Sequence, residues 1–302
     1  MKIEVQGVRK RFGELTAVDG VSFRAAEGRI FGLLGPNGAG KTTTIRMIMN
    51  IIAPDEGAVL FDGRPIERRD KDRIGYLPEE RGLYRKMQVG ELLLYLASLK
   101  GVSRFDSLQR IDRWLSRFEL ADCRKRRVEE LSKGMAQKVQ FIATVLHEPQ
   151  LVFLDEPFSG LDPVAAEVLR EAVLELAGRG TTVLLSTHIM EQAERMCHEL
   201  LLIDHGREVL SGTLEAIKAR YGRRSVVVEF DGDPQVLRRQ PSVAGLIAYP
   251  RWVEAELAEG FSPDEFLAGL VGRVSIKRFE VMAPSLHKIF LSRVGREEAV
   301  HE

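Results

Sequence analysis

No run of apolar residues in this 302-residue chain approaches the roughly 18 to 20 that a membrane-spanning helix needs, so none is expected to cross a bilayer. The opening stretch, Met1-Lys2-Ile3-Glu4-Val5, lacks the apolar core of a secretory leader, and the chain is expected to stay in the cytosol. Cysteine is scarce. Cys123 and Cys197 lie far apart without CxxC or metal-ligand spacing, and both are read as reduced and structural. Net charge is also lacking: 44 Lys and Arg balance 44 Asp and Glu, which removes any global electrostatic pull toward nucleic acid. There is no low-complexity tract and no repeat of solenoid period.

What is present is an ordinary globular composition, long enough for one large domain and a smaller one. To about Ala219, short β-branched runs alternate with amphipathic windows, the pattern of a parallel sheet with crossover helices. Strands are expected over 29–34, 151–154 and 181–186. Each ends in polar residues, at the edge where open α/β sheets bind ligands. Helical spacing of Leu92, Leu93, Leu96 and Leu99, and of Ile111, Leu115 and Phe118, predicts an inserted helical subdomain over about 90–145. Short strands at 3–5, 21–23 and 59–61 predict a small antiparallel sheet beside the parallel one. After a break at 220–224 the order becomes strand, helix, strand, strand, helix, strand. Ser262, Pro263 and Glu265 supply the N-cap, first-turn proline and capping box of its second helix. The expected fold is therefore an α/β domain over 1–219 and a small α+β ferredoxin-like domain over 220–302.

Gly35-Pro36-Asn37-Gly38-Ala39-Gly40-Lys41-Thr42-Thr43 fits G-x-x-x-x-G-K-[ST], a P-loop, between an apolar strand and an apolar-periodic helix. Its glycines let backbone N–H groups approach phosphate oxygens with no Cβ in the way, and the helix N-terminus adds positive potential. Lys41 is expected to reach the β and γ phosphates. The Thr42 hydroxyl is expected to ligate Mg²⁺. In Leu151-Val152-Phe153-Leu154-Asp155-Glu156 a buried strand ends in two carboxylates. Asp155 is placed to hold the Mg²⁺ shell and Glu156 to polarise the attacking water.

Leu131-Ser132-Lys133-Gly134-Met135 stands just upstream of that acidic strand, where ABC ATPases carry an L-S-G-G-Q signature, and over about 1–219 the chain resembles that family. The resemblance implies that Phe12 stacks on adenine, that Glu79 occupies the Q-loop position beside the metal, that Ser159-Gly160-Leu161-Asp162 is the D-loop, and that His188 senses the γ-phosphate. It further implies that Ser132 and Gly134, at a capped helix N-terminus, receive the γ-phosphate of a partner protomer, so that two ATP molecules with Mg²⁺ are clamped in a head-to-tail dimer. The dimer is a homodimer or a heterodimer with a similar ATPase. Three residues depart from the family pattern: Lys133 for the first signature glycine, Met135 for glutamine, and Glu79 for the Q-loop glutamine.

The segments 75–84 and 283–291 are similar to ATP-binding subunits of bacterial exporters of the ABC-2 class, a class that includes sodium and drug exporters. That similarity implies a separate membrane-spanning permease and a position on the inner face of the membrane, and the resemblance to ABC ATPases implies a permease contact over 81–87, in the groove beside the Q-loop. The carboxy-terminal domain is expected to be regulatory or dimer-stabilising. Arg124-Lys125-Arg126-Arg127 raises the rival reading of a soluble ABC ATPase acting on nucleic acid or ribosomes. Glu129 and Glu130 follow at once, and a solvated helix end is the preferred account. A sensor that binds ATP without turnover is a third reading, against which Glu156 and His188 both speak.

Overall fold

A computed structural model describes residues 1–80, 82–220, 225–249, 252–282 and 285–290. The expected permease contact over 81–87, the break at 220–224 and the exporter-like segment 283–291 each include positions outside that set. The chain divides into two compact units, Met1–Thr213 and Leu214–Glu302.

In the first unit the order is β1 (Ile3–Phe12), β2 (Leu15–Ala25), β3 (Ile30–Leu34), α1 (Lys41–Ile48), β4 (Glu56–Phe61) and β5 (Ile74–Leu77). Then come α2 (Val89–Leu99), α3 (Arg104–Arg117), α4 (Lys133–Val145), β6 (Leu151–Asp155), α5 (Pro163–Gly178) and β7 (Thr182–Thr187). It closes with α6 (Met190–Met196), β8 (Glu199–Asp204) and β9 (Arg207–Thr213). The second unit holds α7 (Leu214–Arg220), β10 (Ser225–Asp231), α8 (Gln235–Arg238), β11 (Val243–Ala248), β12 (Trp252–Leu257), α9 (Pro263–Leu270) and β13 (Ser275–Met282).

Six strands form the main sheet in the order β5-β6-β7-β3-β8-β9. The first five are parallel, and only the edge strand β9 runs against its neighbour. β3, β6 and β7 are buried along their whole length, as strands covered on both faces must be. Their register sets Leu34 beside Thr187 and Asp155 beside Ser186, so three carboxyl ends open at one edge. β2, β1 and β4 make the antiparallel sheet. Its inward residues Val5, Val21 and Phe61 share one core with Phe31 and Leu33 of β3 and with Ile45 and Ile48 of α1. Phe23 stacks on Phe31 with ring centroids 4.6 Å apart. That shared core holds the P-loop strand and its helix against the small sheet.

The helical subdomain packs Trp114 and Phe118 of α3 and its C-cap against Phe141 of α4. In the second unit the sheet order β11-β12-β10-β13, with every neighbouring pair antiparallel, is the ferredoxin-like arrangement. Phe266 and Leu270 of α9 and Leu237 of α8 fill its core with Val226, Val228 and Val253. Ser262 caps α9 in a reciprocal capping box with Glu265. The division after Thr213 comes earlier than the expected break after Ala219. The basic cluster read as a linker begins with the last turn of α7, where Lys218 and Arg220 lie, and α7 groups with the second unit.

Candidate nucleotide site

Between β3 and α1 the chain turns through Gly35 and Gly40, with φ of 152° and 103°. Both positions demand glycine for reasons of space as well as conformation. A Cβ on Gly35 would stand 2.1 Å from the Ile203 carbonyl oxygen, and one on Gly40 2.4 Å from that of Ala17. The loop is thus pressed against the end of β8 on one side and β2 on the other. Gly206 N–H donates to the Ala39 carbonyl at 3.0 Å and Asp19 N–H to the Gly206 carbonyl at 2.8 Å, completing the brace.

Lys41 is buried at the first position of α1, and its ammonium donates to the carbonyls of Gly35 at 2.8 Å and Pro36 at 3.0 Å. Its Nζ is also 3.7 Å from Glu156 Oε1. The Thr42 hydroxyl donates to Asp155 Oδ2 at 2.9 Å, and the Ser186 hydroxyl to Asp155 Oδ1 at 2.7 Å. One carboxylate therefore ties together the ends of β6, β7 and α1. Glu156 follows with φ of 49°, a left-handed conformation uncommon outside glycine and concentrated at functional sites. Its N–H donates to the Ser186 carbonyl at 3.0 Å, which fixes that turn. Its Oε1 lies 2.9 Å from His188 Nδ1.

These groups border a cleft of about 640 Å³ lined by Phe12, Asn37, Lys41, Thr43, Glu79 and His205 among others. Gly38, Gly40, Thr42, Asp155 and Glu156 line it too. Phe12 is half exposed at the β1–β2 hairpin, with the Lys10 ammonium 5.7 Å from its ring centre. Thr16, Ala17, His205 and Gly206 also line the cleft and were not anticipated. They come from the hairpin and the β8–β9 turn, which no local motif marks. That tight turn places His205 and Gly206 at positive φ, 44° and 78°.

Ser132, Gly134, Asp162 and His188 are not in the lining of this cleft. Ser132 caps α4, its hydroxyl accepting from Met135 N–H at 3.3 Å, and is exposed. Asp162 caps α5 by accepting from Ala165 N–H at 2.9 Å, a bond that holds its carboxyl below the usual range. The signature and D-loop turns are neighbours: a Cβ on Gly134 would meet the Gly160 carbonyl at 3.4 Å, and one on Gly160 the Lys133 stem at 3.2 Å. Three of the four residues in the basic run 124–127 face carboxylates. Arg124 pairs with Asp112, while Arg126 and Arg127 each come within 3.8 Å of Glu130 and Glu129 respectively.

A P-loop braced at the carboxyl edge of a parallel sheet, with carboxylates on the neighbouring strand, defines a P-loop nucleotide-hydrolysing protein. Residues 18–159 match the family model described as ABC transporter, and residues 212–294 that of the ATP-binding protein DrrA1-3-like C-terminal domain. The chain is 43% identical over 300 residues to the ABC transporter ATP-binding protein YhaQ of Bacillus subtilis (strain 168), covering 99% of this chain and 100% of the relative. It is 35% identical over 302 residues to the Nod factor export ATP-binding protein I of Rhizobium sp. (strain N33), covering 98% and 97%. Among solved structures, an ATP-binding subunit of an ABC transporter superposes with a TM-score of 0.68 at 34% identity, covering 74% of this chain and 94% of that one. The chain belongs to the ATP-binding, ATP-hydrolysing subunits of ABC transporters.

Among the described residues no helix is long and apolar enough to cross a membrane.

Proposed function

We propose that this chain energises export through a separate membrane-spanning permease, sits at the cytoplasmic face of the membrane, and works as a head-to-tail dimer that closes on two ATP molecules. The observation that carries the reading is the convergence on one sheet edge of Lys41, Thr42, Asp155 and Glu156, with His188 bonded to Glu156. The names of the relatives that export Nod factor support the direction of transport.

Mg²⁺ suits the donor set present, since the Thr42 hydroxyl and the Asp155 carboxylate are hard oxygen groups held 2.9 Å apart. Bound there beside Glu79, it would offset phosphate charge during transfer. Lys41 binds the phosphates, exchanging its bonds to the Gly35 and Pro36 carbonyls for phosphate oxygens. Glu156 orients and deprotonates the attacking water, and His188 and Glu156 share a hydrogen bond that sets the carboxylate's direction. Phe12 offers a ring face to the base.

Dimer closure is supported by the signature turn, where Ser132 and Gly134 border an exposed helix N-terminus outside their own cleft. Phosphate from a partner's ATP would meet that end, and hydrolysis would remove the charge that holds the two together. The test is copurification from native membranes in mild detergent. A multi-span protein recovered with the tagged chain is the expected result, and ribosomes or nucleic acid alone would replace the reading with the soluble-ATPase one.

A further inference from the structure

Gln140 lies in the middle of α4 and is 5% exposed, buried against the segment that leaves β5. Its amide nitrogen Nε2 is 3.3 Å from the Pro78 carbonyl oxygen and 3.4 Å from that of Glu80. Two acceptors on one side settle the orientation of the amide, because only the NH₂ can donate to them. The other amide atom, Oε1, is buried with no donor among the described residues, so all the hydrogen bonding of this side chain goes to those two carbonyls.

The two carbonyls flank Glu79, which lines the nucleotide cleft. We propose that Gln140 is a positioning residue for Glu79: one amide holds the carbonyl of the residue before it and that of the residue after it, and so sets where its carboxylate enters the cleft. The inference rests on the proposed role of Glu79 beside the metal.

The frame around this contact is stiff. α4 lies directly on β5, since a Cβ on Gly75 would stand 2.4 Å from the Thr144 carbonyl oxygen. The Thr144 hydroxyl bonds within its helix to the Gln140 carbonyl at 2.9 Å and reaches the Tyr76 carbonyl at 3.4 Å. Gln140 thus extends a fixed helix–strand contact by one more step, onto the loop that carries Glu79. Ser132 caps the same helix, so α4 links the signature turn to the segment that carries Glu79. Gln140 also lines a groove of about 390 Å³ with Leu83, Leu96 and Leu99, on the face of α4 away from its cap.

The experiment is a double-mutant cycle on the full chain, read as Mg²⁺-dependent ATP hydrolysis with nucleotide affinity measured alongside. Gln140→Met keeps the length of the side chain and removes the donor. It should lower kcat about tenfold, as loss of an outer-shell partner commonly does, with ATP affinity within about twofold of the parent. In the Glu79→Ala background the same substitution should change kcat less than about twofold, because its effect passes through Glu79. An equal drop in both backgrounds would overturn the proposal, since a purely structural role acts whether or not Glu79 is present. No drop from Gln140→Met in an otherwise unaltered chain, with Glu79→Ala slow, would also overturn it while leaving Glu79 in its role. A parent-like rate in Glu79→Ala would remove the reading of Glu79 itself. Gln140→Leu, close in volume and with no donor, serves the same cycle where the methionine variant does not fold.

Discussion

His188 Nδ1 lies 2.9 Å from Glu156 Oε1, and that same oxygen is 3.7 Å from Lys41 Nζ, so one carboxylate oxygen faces a ring nitrogen and a buried ammonium together. When that carboxylate is ionised it can only accept, and the imidazole then donates from Nδ1 and leaves Nε2 as its other nitrogen. Glu156→Gln keeps this shape but removes the base. It should lower ATP turnover by about 10² to 10⁴ while retaining ATP, and the closed dimer should accumulate. Light scattering with and without ATP measures the mass; parent-like turnover would mean that another group activates the water.

Lys41 spends its buried ammonium on the Gly35 and Pro36 carbonyls and offers the cleft its only described P-loop cation. Lys41→Ala should reduce ATP affinity by at least about 100-fold, in keeping with loss of a charge-assisted bond at a desolvated phosphate. Titration calorimetry with ATP and Mg²⁺ checks it. Thr42→Val, which removes the hydroxyl facing Asp155, should instead weaken the dependence on Mg²⁺ more than the affinity for free ATP.

The glycine positions separate two kinds of cost. At Gly35 a Cβ meets the Ile203 carbonyl at 2.1 Å, whereas at Gly38 it meets nothing within 4 Å although φ is 82°. Gly38→Ala should cost about 1 kcal/mol, the left-handed backbone penalty alone. Gly35→Ala adds a backbone clash and should cost about 3 kcal/mol or more, because the end of β8 must move. Denaturant melts of the two variants give the difference, and equal midpoints would show that the loop yields freely.

Much of this site was legible because its chemistry is local. The P-loop, Asp155 and Glu156 each follow a buried strand within a few residues, and the capping box at Ser262 announces α9 by its own spacing. His205, Gly206 and Ala17 were not legible, since their part in the cleft arises from the pairing of Asp19 with Gly206 across 187 positions of chain, by 206 − 19. Gln140 was hidden for the same reason: it reads as one more polar residue on a helix until β5 is packed beside it. The antiparallel edge strand β9 escaped notice because its half-buried alternation differs little from that of a turn and helix start.

Acid should weaken the fold through two identifiable groups. Burial, with Lys100 nearby, pushes the His147 imidazole from 6.5 down to about 4. Its neutral form is the native one, so its stabilisation is whole above pH 6.5 and is lost as pH falls from there toward 4, where the unfolded chain takes the proton first. The Arg64 guanidinium and the Glu67 N–H hold the Asp70 carboxyl at about 2 rather than 3.8, which adds a second loss between about pH 4 and 2. His147→Gln, able to donate to the Ile74 carbonyl, should remove about 2 kcal/mol of the loss between pH 7 and pH 5. Urea melts at both values decide it; an unchanged acid loss would place the sensitivity elsewhere.

Leu83 lines the groove beside α4, and Tyr84, 54% exposed, meets Tyr95 edge-on with ring centroids 5.9 Å apart. Exposed aromatics next to an apolar groove are what a docking surface for a permease segment requires, since they bury large area at small entropic cost. Replacing both Leu83 and Tyr84 with Asp places two charges on that surface, away from the groups that hold ATP. ATP affinity should stay within about twofold of the parent, whereas recovery of the permease with the tagged chain should fall by about tenfold or more, a loss of the size that truncating a central anchor gives. Transport should fall with it. Undiminished permease recovery in this variant would move the contact to another face of the helical subdomain.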